Sequence, residues 1–543
     1  MTGPAQELPR RTLPVLGLVS PVRSFDPPML RLARWMQERY VAPLATVLGA
    51  IAPPRVASED PAADVPQVRP AVRRPASVSH PLVDYRGGQD VLRAITRHGG
   101  AFVVRPAPED EQAVAVEAVA ACLSAGRRAV VLVPEASPMP ATASALAAAF
   151  GERVCVFLGG DRRTRYRAWL EIRAGRYDVV VGTRPAVFAP LDDLGLLFVS
   201  RESHAAHRED RAPYHHVREV ALRRAELVGA SCVLSAACPT AEAAALELPI
   251  VAPAGRRWPS VEVVRPGPEG RAPRVVEALR TARRAFVYAP VPGYGVAQVC
   301  RSCGNPAACA SCGGLLRVED GRVRCIVCES DGVCSVCGGR TFGIRRGGAE
   351  RVEEWVGGVT AVPVARPARP RLPRPAGEIV VGGAESVRDL GPGELDLVAI
   401  LDADAAARRP GLAARERALS VWMEAAGWAR PAGRAIVQSS HPSDPAIQAL
   451  VRGNPDRFLQ RERDLRAAAG FPVGAATFRV TGGADVEAAV AEHDPITTLV
   501  TTRESRTVCL AVLPRDRVAA FGRTMRRLAA DGVVERLEAE PHL

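Results

Sequence analysis

The sequence predicts an α/β protein with two parallel-sheet units, a cysteine-rich module inserted into the second unit, and a small α+β domain at the carboxy terminus. Two observations lead to this prediction. From about residue 82, short apolar runs alternate with Ala-rich helical stretches, which is typical of βαβ units. In addition, eight of the 13 cysteines stand in four Cys-x-x-Cys pairs between residues 300 and 337, among the apolar runs of the second unit.

The amino-terminal part is predicted to contain a helix and a linker. Apolar side chains recur at helical spacing in residues 26–50, with arginines between them: Leu30, Leu32, Trp35, Met36 and Tyr40. The Pro/Ala/Val-rich stretch from Pro53 to Pro81 is typical of a linker, which we expect to be mobile.

The strands of both units are predicted from apolar runs of the kind that parallel sheets bury. In the first unit these are residues 101–104, 129–133, 154–158, 179–181, 196–199 and 232–234, with helices over 112–125 and 141–150. In the second unit they are residues 285–288, 378–381, 397–401 and 434–438. The carboxy-terminal domain is predicted to have strands near 477–480, 497–500 and 508–512 and a helix over 515–530.

The cysteine pairs predict two structural zinc sites. A Cys-x-x-Cys turn places two thiolates on one side of a metal, and two turns complete a closed Cys₄ site that holds shape and does no chemistry. Three divisions of the pairs fit the spacing, but the symmetric gaps of 5, 12 and 5 residues favour a nested one. Zinc 1 is then held by Cys300, Cys303, Cys334 and Cys337, and zinc 2 by Cys309, Cys312, Cys325 and Cys328.

A disulfide scaffold is the alternative for these cysteines. It is disfavoured because the amino terminus shows no signal-peptide pattern and no apolar span approaches the roughly 20 residues of a membrane helix. We therefore expect a cytoplasmic protein with no membrane partner. The five isolated cysteines are expected to be buried apolar residues: Cys122, Cys155, Cys232, Cys238 and Cys509.

The charge of the chain suits an acidic partner such as nucleic acid. The formal net charge is +12 and the pI is about 9.4, although the codon bias of a GC-rich genome is an alternative cause. All 71 basic residues are arginine. A conventional phosphate-binding loop needs a lysine ammonium, so the sequence excludes a Walker A ATPase.

Several stretches resemble the bacterial replication restart helicase family PriA, also called primosomal protein N′. The most specific are the cysteine array and residues 180–190 (VVGTRPAVFAP). The resemblance also includes residues 129–140 (AVVLVPEASPMP), Gly293-Tyr294, LDAD at 401–404 with Glu416-Arg417 downstream, HPSDPAI at 441–447 and GFP at 470–472. It covers roughly residues 26–543 and implies two RecA-like helicase lobes.

The first departure from the family lies in the phosphate loop. Residues 105–112 (RPAPEDEQ) stand where the family has Gly-x-Thr-Gly-Ser-Gly-Lys-Thr. The glycines that let the backbone approach a phosphate are absent, and two prolines remove amide donors. Glu111 stands at the lysine position, and we expect Glu109, Asp110 and Glu111 to repel a triphosphate.

Three more motor motifs differ. The Asp-Glu-x-His box reads Ser200-Arg201-Glu202-Ser203, so the Mg²⁺-binding Asp has become Ser200 and the following Glu has become Arg201. The Gly-Ser-Ala-Thr motif reads SAAC at 235–238. In MEAAGWAR at 423–430, Gly427 replaces the first arginine of the family motif and only Arg430 remains. The resemblance therefore implies a helicase-like fold with degenerate motifs and no catalytic residues.

With the resemblance, the chain divides into seven segments. They are a winged-helix-like remnant (1–53), a linker (54–81), helicase-like lobe 1 (82–262), the start of lobe 2 (263–299), the zinc-binding insertion (300–340), the remainder of lobe 2 (341–455) and the carboxy-terminal domain (456–543). Residues 1–25 are too few for the family's 3′-end-binding domain, so we expect that this domain is missing or that the start is misplaced.

The function implied by the resemblance is that of a non-catalytic replication restart protein. It would bind stalled or abandoned forks, as single-stranded or branched DNA, and promote primosome assembly for reloading the replicative helicase. The implied partners are DNA, primosome proteins, the replicative helicase and single-strand-binding protein, and the implied cofactors are two zinc ions without ATP hydrolysis. The alternatives are an active ATP-dependent 3′-5′ DNA helicase with an atypical nucleotide site and a zinc-dependent scaffold that does not bind DNA.

Two further stretches are candidates for DNA contacts. In the loop at 204–216, Tyr214, His215 and His216 could stack on bases or touch phosphate, the alternative being a solvated loop. Pro363–Pro375 (PVARPARPRLPRP) is either an extended connection or a phosphate-contacting strip. By contrast, we expect Glu135, Asp402 and Asp404 to be structural.

Overall fold

The computed structural model describes most of the chain. The described residues are 17, 19–61, 72, 78–97, 99–267, 270–289, 297–305, 307–311, 314, 316–319, 322–325, 328–346, 349–365, 377–383, 394–407, 411–503 and 506–541. Gly293-Tyr294, Cys312 and all but the first three residues of Pro363–Pro375 lie outside them.

The first lobe is built on an eight-stranded sheet in the order β1-β8-β2-β7-β6-β3-β5-β4. All pairings are parallel except that of β1 with β8. The strands are β1 (Tyr85–Arg86), β2 (Gly100–Val104), β3 (Arg128–Leu132), β4 (Val154–Phe157), β5 (Val179–Gly182), β6 (Leu194–Ser200), β7 (Ser231–Ser235) and β8 (Ile250–Pro253).

Helices cover both faces of this sheet, as buried parallel strands require. They are α3 (Gly88–Arg97), α4 (Glu111–Ser124), α5 (Ala141–Phe150), α6 (Arg162–Arg173), α7 (Val217–Val228) and α8 (Ala241–Ala244). Two amino-terminal helices, α1 (Pro27–Arg39) and α2 (Leu44–Ile51), precede the lobe, and α1 packs on α7.

The second lobe has a six-stranded parallel sheet. Its strands are β9 (Ser260–Val264), β10 (Arg284–Tyr288), β15 (Val364–Ala365), β16 (Glu378–Gly382), β17 (Leu395–Ile400) and β18 (Ala429–Gln438), in the order β15-β16-β10-β17-β18-β9. Its helices are α9 (Pro273–Thr281), α10 (Ala349–Gly357), α11 (Ala403–Ala407), α12 (Ala414–Gly427), α13 (Pro445–Arg452) and α14 (Asp456–Ala468).

The cysteine module lies in the chain between β10 and β15, so it is an insertion into the second sheet. It consists of two small antiparallel ribbons, β11 (Ala297–Cys300) with β14 (Phe342–Arg346) and β12 (Leu316–Glu319) with β13 (Arg322–Cys325). A bridge between Cys309 and Cys334 links the two halves of the module.

The carboxy-terminal domain is an antiparallel sheet with helices. Its elements are β19 (Ala476–Gly482), α15 (Val486–Ala491), β20 (Thr497–Arg503), β21 (Arg506–Leu513), α16 (Val518–Ala530) and β22 (Val534–Ala539), with the strand order β20-β21-β19-β22. Its buried side chains join those of α1 and of lobe 1 in one cluster, which includes Met36, Phe478 and Phe521. The domain is therefore continuous with the amino-terminal helix.

The predicted fold class is confirmed. Nine of the ten strands predicted in the two units lie within two residues of their expected bounds, whereas β18 begins at Ala429, five residues before its predicted start. Outside the cysteine module, β1, β8, β9, β15 and β22 were not predicted. The last helix begins at Val518 and not at residue 515, because Arg515–Arg517 form a 3₁₀ turn. None of the described helices is long and apolar enough to cross a membrane.

The beginning of the predicted linker is docked on lobe 1. Glu59 accepts hydrogen bonds from Arg167, at 2.9 Å, and from Arg163, and these bonds lower the pKa of Glu59 to about 2. Asp60 accepts a hydrogen bond of 2.6 Å from the Tyr166 hydroxyl and pairs with Arg55. Residues 55–60 thus lie along helix α6, because the two carboxylates bind side chains of this arginine-rich helix. This part of the linker was expected from its composition to be mobile.

Candidate functional site

The cysteines of the module form two clusters that could each hold a metal ion. The sulfur atoms in each cluster lie within 4.8 Å of one another: Cys300, Cys303, Cys334 and Cys337 in one, and Cys309, Cys325 and Cys328 in the other. This grouping is the nested one, although Cys312 is outside the described residues. That these sulfurs are zinc ligands stays a prediction.

Local backbone geometry brings the thiols together. In the first cluster the amides of Gly304 and Gly338 donate to the carbonyls of Cys300 and Cys334, each at 2.9 Å. Both glycines have φ of 71°, a left-handed conformation that glycine adopts without strain. Desolvation raises the pKa of Cys300, but N–H donors of Cys303 and Ser302 outweigh it and lower that pKa to about 6. The turn around Cys300 therefore favours its thiolate, the form that a metal needs, whereas the neighbouring thiols Cys300 and Cys303 raise the pKa of Cys337.

The loop that corresponds to the family's phosphate loop uses its amides internally. The amide of Arg105 donates to Val251 O (2.8 Å), that of Ala107 to the Tyr85 hydroxyl (2.7 Å) and that of Asp110 to Ala107 O (2.9 Å). Pro106 and Pro108 have no amide hydrogen. The ring of amide donors that cradles a phosphate is therefore not formed by these residues.

An arginine lies between two glutamates across the cleft. Arg201, at the end of β6, contacts Glu111 of α4 at 2.8 Å and Glu424 of α12 at 3.0 Å. The three side chains are only 16–17% exposed. Desolvation lowers the pKa of Arg201, but Glu111 and Glu424 outweigh it, so the pKa is raised and the guanidinium stays charged.

The acidic residues of the loop are paired with arginines. Besides the Glu111 contact, Arg257 contacts Glu109 at 2.9 Å and Asp110 at 2.7 Å. Each carboxylate thus has an arginine partner, but Arg257 is shared by two carboxylates and so is Arg201, so a net negative charge remains. That these residues repel a triphosphate stays a prediction.

Little space remains between the lobes at this loop. The cavity lined by Pro108, Arg201, Cys238 and Gly427 has a volume of about 50 Å³. A Cβ atom at Gly427 would lie 3.2 Å from Pro108, so the end of α12 packs directly on the loop. A cavity of this size is far smaller than the roughly 300 Å³ at which small-molecule sites begin.

Glu202 is committed to a structural network. It is fully buried and accepts hydrogen bonds from Arg218, from the Thr240 amide at 3.0 Å and from the Thr240 hydroxyl at 2.8 Å. Its neighbour Ser200 is also buried, and the Ser200 carbonyl accepts a hydrogen bond from His207 at 2.8 Å. Glu202, the acidic residue in the stretch that corresponds to the family's Asp-Glu-x-His box, therefore contacts residues of lobe 1.

A second, larger cavity lies where both lobes, α1 and the carboxy-terminal domain meet. Its volume is about 490 Å³, and its walls include Arg208, Arg417, Tyr214 and Phe471. The Nε atom of Arg208 is buried and has no hydrogen-bond partner among the described residues. Burial lowers the pKa of Arg208, the carboxylates of Glu540, Asp210 and Glu538 oppose this, and the charge of Arg417 lowers the pKa further. Arg208 and Arg417 are candidates for contact with an anionic ligand, in a wall that also includes carboxylates such as Glu219 and Glu540.

The histidine loop is packed into the protein, so neither sequence-based interpretation of His215 is right. His215 is 3% exposed and contacts Phe188 edge-on, at 5.4 Å between ring centroids. The ring of His216 accepts the Arg218 amide at the start of α7. Among the three candidates, Tyr214 alone lines the larger cavity without capping a helix. The pattern of polar and apolar residues in the loop does not indicate that His215 is buried.

The carboxylates expected to be structural lie near strand ends: Asp402 follows β17, Asp404 is in α11, the next helix, and Glu135 is three residues beyond β3. Asp404 accepts hydrogen bonds from the Ser439 hydroxyl (2.5 Å) and the Ser440 amide (2.8 Å), and Asp402 is buried after β17. Glu135 lies 3.6 Å from His204. Arg430 pairs with Asp396 on the adjacent strand and does not enter the cleft. The five isolated cysteines are all buried.

Comparison with known proteins gives a consistent picture. No family model matches the chain. The chain is 32% identical over 406 residues to a probable replication restart protein PriA of Mycobacterium tuberculosis, covering 66% of this chain and 60% of that protein. It is also 32% identical over 451 residues to the Mycobacterium leprae protein of that name, covering 74% and 68%. The Treponema pallidum PriA is 28% identical over 491 residues, covering 82% and 73%.

Solved helicase structures match the chain only at low similarity. The Mycobacterium smegmatis helicase Lhr bound to ssDNA and AMP-PNP has a TM-score of 0.37 and 14% identity, covering 80% of this chain and 59% of that one. The DUF1998 helicase MrfA bound to DNA has a TM-score of 0.36 and 12% identity, covering 73% and 52%.

Two parallel α/β lobes with a cysteine-rich module inserted in the second define a helicase-like protein. Among such proteins, this chain belongs to the PriA replication restart family, as the identity to the mycobacterial members shows. The chain spans about 60% of the length of the first of these relatives.

Proposed function

We propose that this protein binds single-stranded or branched DNA at stalled replication forks and promotes primosome assembly without hydrolysing ATP. The observation that carries the proposal is the cleft between the lobes, where Arg201 contacts Glu111 and Glu424. Family membership supports the replication restart role, and the cleft supports its non-catalytic character.

Phosphoryl transfer needs groups that this cleft does not offer. A motor ATPase holds the β- and γ-phosphates with loop amides and a lysine and holds Mg²⁺ through a carboxylate. Here the loop amides are engaged, there is no lysine in the chain, and Glu202 is bound by Arg218 and Thr240. Each missing group stabilises transition-state charge, so their joint loss removes the electrostatic basis of hydrolysis.

The larger cavity is the proposed place of DNA contact. Arg208 and Arg417 both line it, and Tyr214 and Phe471 add aromatic surface to its wall. Guanidinium groups bind phosphates, and aromatic rings stack on unpaired bases, which is how proteins hold single strands without sequence preference. The net charge of +12 favours the encounter with DNA.

The two cysteine clusters are proposed to bind zinc, as the residues fit that metal. Thiolates are the preferred ligands of structural Zn²⁺, and closed Cys₄ sites contribute folding energy. The cluster of Cys309, Cys325 and Cys328 would be completed by Cys312, its sequence partner. We propose that the folded module contacts primosome proteins or duplex DNA.

The test combines DNA binding and ATP hydrolysis on one zinc-quantified sample of the full chain. Fork DNA affinity is measured by fluorescence anisotropy at several salt concentrations, with Mg-ATP turnover measured in the same samples. We expect binding that weakens steeply with salt, by a log-log slope of about 0.7 per phosphate contact on a single strand, and no DNA-stimulated hydrolysis.

Variants of the cavity wall test whether DNA binds in the larger cavity. Arg208→Gln with Arg417→Gln should weaken fork binding and reduce the salt slope by about 1.4, since two phosphate contacts of about 0.7 each are lost. The control is Arg452→Gln, an exposed arginine of α13 that does not line the cavity, which should bind as the unaltered protein does. DNA-stimulated hydrolysis would overturn the non-catalytic proposal, and salt-independent or absent binding would overturn the DNA proposal.

A further inference from the structure

We infer that the protein holds its two lobes in one fixed orientation through its own side chains, which take over the role that a bound nucleotide plays between the lobes of a motor. The contacts run along the cleft from the connecting segment to the carboxy-terminal domain. Lobe locking does not require DNA binding, so it can fail independently of the proposed function.

One face of α12 provides a row of contacts to lobe 1. Glu416, Ser420 and Glu424 are four residues apart and therefore lie on one side of the helix, on three successive turns. Glu416 accepts the Ala241 amide at 3.1 Å, the Ser420 hydroxyl lies 2.7 Å from that of Ser203, and Glu424 contacts Arg201. A whole helix face of lobe 2 is thus matched to polar groups of lobe 1.

Helix α14 adds contacts on either side of this row. At its start, Asp456 pairs with Arg105 of the former phosphate loop at 2.8 Å. At its end, Arg466 contacts Glu242 of lobe 1 at 3.0 Å and also Glu416 at 2.5 Å. Arg466 is buried, so it ties helices from both lobes in a site that water reaches poorly.

The segment that connects the lobes is held on both sides. Residues 254–259 link β8 of lobe 1 to β9 of lobe 2. Arg257 contacts Glu109 and Asp110 of lobe 1, while the Trp258 indole donates to Leu450 O of lobe 2 at 2.8 Å. A hinge must change its backbone angles when lobes open, and these two adjacent side chains oppose such a change.

The contacts of Arg201 and the Arg466–Glu416 contact are largely buried, and breaking them makes opening unfavourable. The Arg105–Asp456 and Arg257–Glu109 contacts are more exposed and contribute less. Separating a buried ion pair leaves charges that are neither paired nor fully hydrated, which costs more than breaking an exposed pair. Because the contacts are spread along the cleft, a rotation that relieves one of them strains the others. The lobes are therefore expected to stay together at all nucleotide concentrations.

The test is amide hydrogen exchange of the full chain with variants of the central pair. Arg201→Gln removes the arginine from both glutamates, whereas Glu424→Gln weakens only the contact to lobe 2. The matched control is Arg153→Gln, because Arg153 is 16% exposed and pairs with Asp178 at 2.8 Å inside lobe 1. Far-UV circular dichroism establishes that each variant is folded.

We expect exchange at the start of α4 and along the Ser420–Gly427 turns of α12 to rise about tenfold or more in Arg201→Gln and Glu424→Gln, and to be unchanged there in Arg153→Gln. Millimolar Mg-ATP should not alter exchange at the cleft of the unaltered protein. Unchanged exchange in both cleft variants, or protection of the cleft by Mg-ATP, would overturn lobe locking.

Discussion

At positions 111 and 201 the charges are exchanged relative to the family pattern. The resemblance places a lysine at the first position and a glutamate at the second, and this chain has Glu111 and Arg201, which contact each other at 2.8 Å. An exchanged pair retains attraction between the two elements while removing the cation that a phosphate needs. The same two positions therefore bind each other in place of a ligand.

Buried histidines give a prediction at the residue scale. Burial lowers the pKa of His207 to about 4, below the value near 6.5 of an unfolded chain. The unfolded state thus binds an extra proton between these values, so this residue reduces stability as the pH falls from about 6.5 to about 4. Urea unfolding of the unaltered protein should show this loss.

The variant His207→Gln retains a donor for Ser200 O but does not titrate in this range. Its stability should therefore fall less over that pH interval, by up to about 3 kcal/mol, since one pKa unit corresponds to about 1.4 kcal/mol. Equal pH dependence in both proteins would show that His207 is not the neutral buried residue described here.

At the element scale, two Cys-x-x-Cys turns together form each predicted metal site, so the two sites can be tested separately. Cys334→Ser should release about one zinc equivalent and loosen the β11–β14 ribbon, because metal binding and folding are coupled. Cys309→Ser should release the other equivalent. Zinc is measured by mass spectrometry of the purified protein, and ribbon order by limited proteolysis.

Cys155→Ala is the control for these variants, since Cys155 is buried in lobe 1 outside the module. Its metal content should equal that of the unaltered protein. If the module variants also keep two equivalents, the cysteines do not ligate the metal in the nested arrangement.

The elements predicted best from the sequence are the strands that are buried along their whole length. Strands β3 and β6 are buried along their whole length and read as unbroken apolar runs. Strands β9 and β22 were missed because they lie at sheet edges and carry charged residues such as Glu262 and Glu535. The cysteine spacing indicated a nested arrangement, and the sulfur clusters have that grouping.

The contacts of Arg201 could not be predicted in the same way. Its partners come from α4 and α12, which are distant in the chain and meet only because two separate sheets face each other. The spacing of residues within one segment of the sequence does not indicate which distant segments come into contact. The sequence shows where residues 105–112 differ from the family's phosphate loop, but it does not show which side chains Arg201 contacts.

At the scale of the whole molecule, the amino-terminal helix joins the ends of the chain. Arg39 of α1 contacts Glu540 at 3.1 Å and lies 3.9 Å from Glu219 of α7. These contacts surround the cavity proposed for DNA, whose walls come from four parts of the chain. DNA bound there would touch all of them and stabilise the native state by mass action.

Thermal unfolding with ligands tests this description. A ligand present at 100 times its Kd stabilises the native state by about 2.7 kcal/mol, which shifts Tm by several degrees. Fork DNA should raise Tm, and high salt should reduce the increase, whereas millimolar Mg-ATP should leave Tm unchanged. A rise in Tm with Mg-ATP that requires Mg²⁺ would reveal a nucleotide site elsewhere on the protein.

The closed cleft also bears on how the protein would leave DNA. A motor resets itself when it releases its hydrolysis product, so each cycle gives it a chance to dissociate. If Arg201, Arg105 and Arg466 keep the lobes joined, as inferred above, the protein has no product-release step of this kind. Under the proposed function, the residence time on a fork is then set by the DNA contacts alone, and a competing strand or protein is what shortens it.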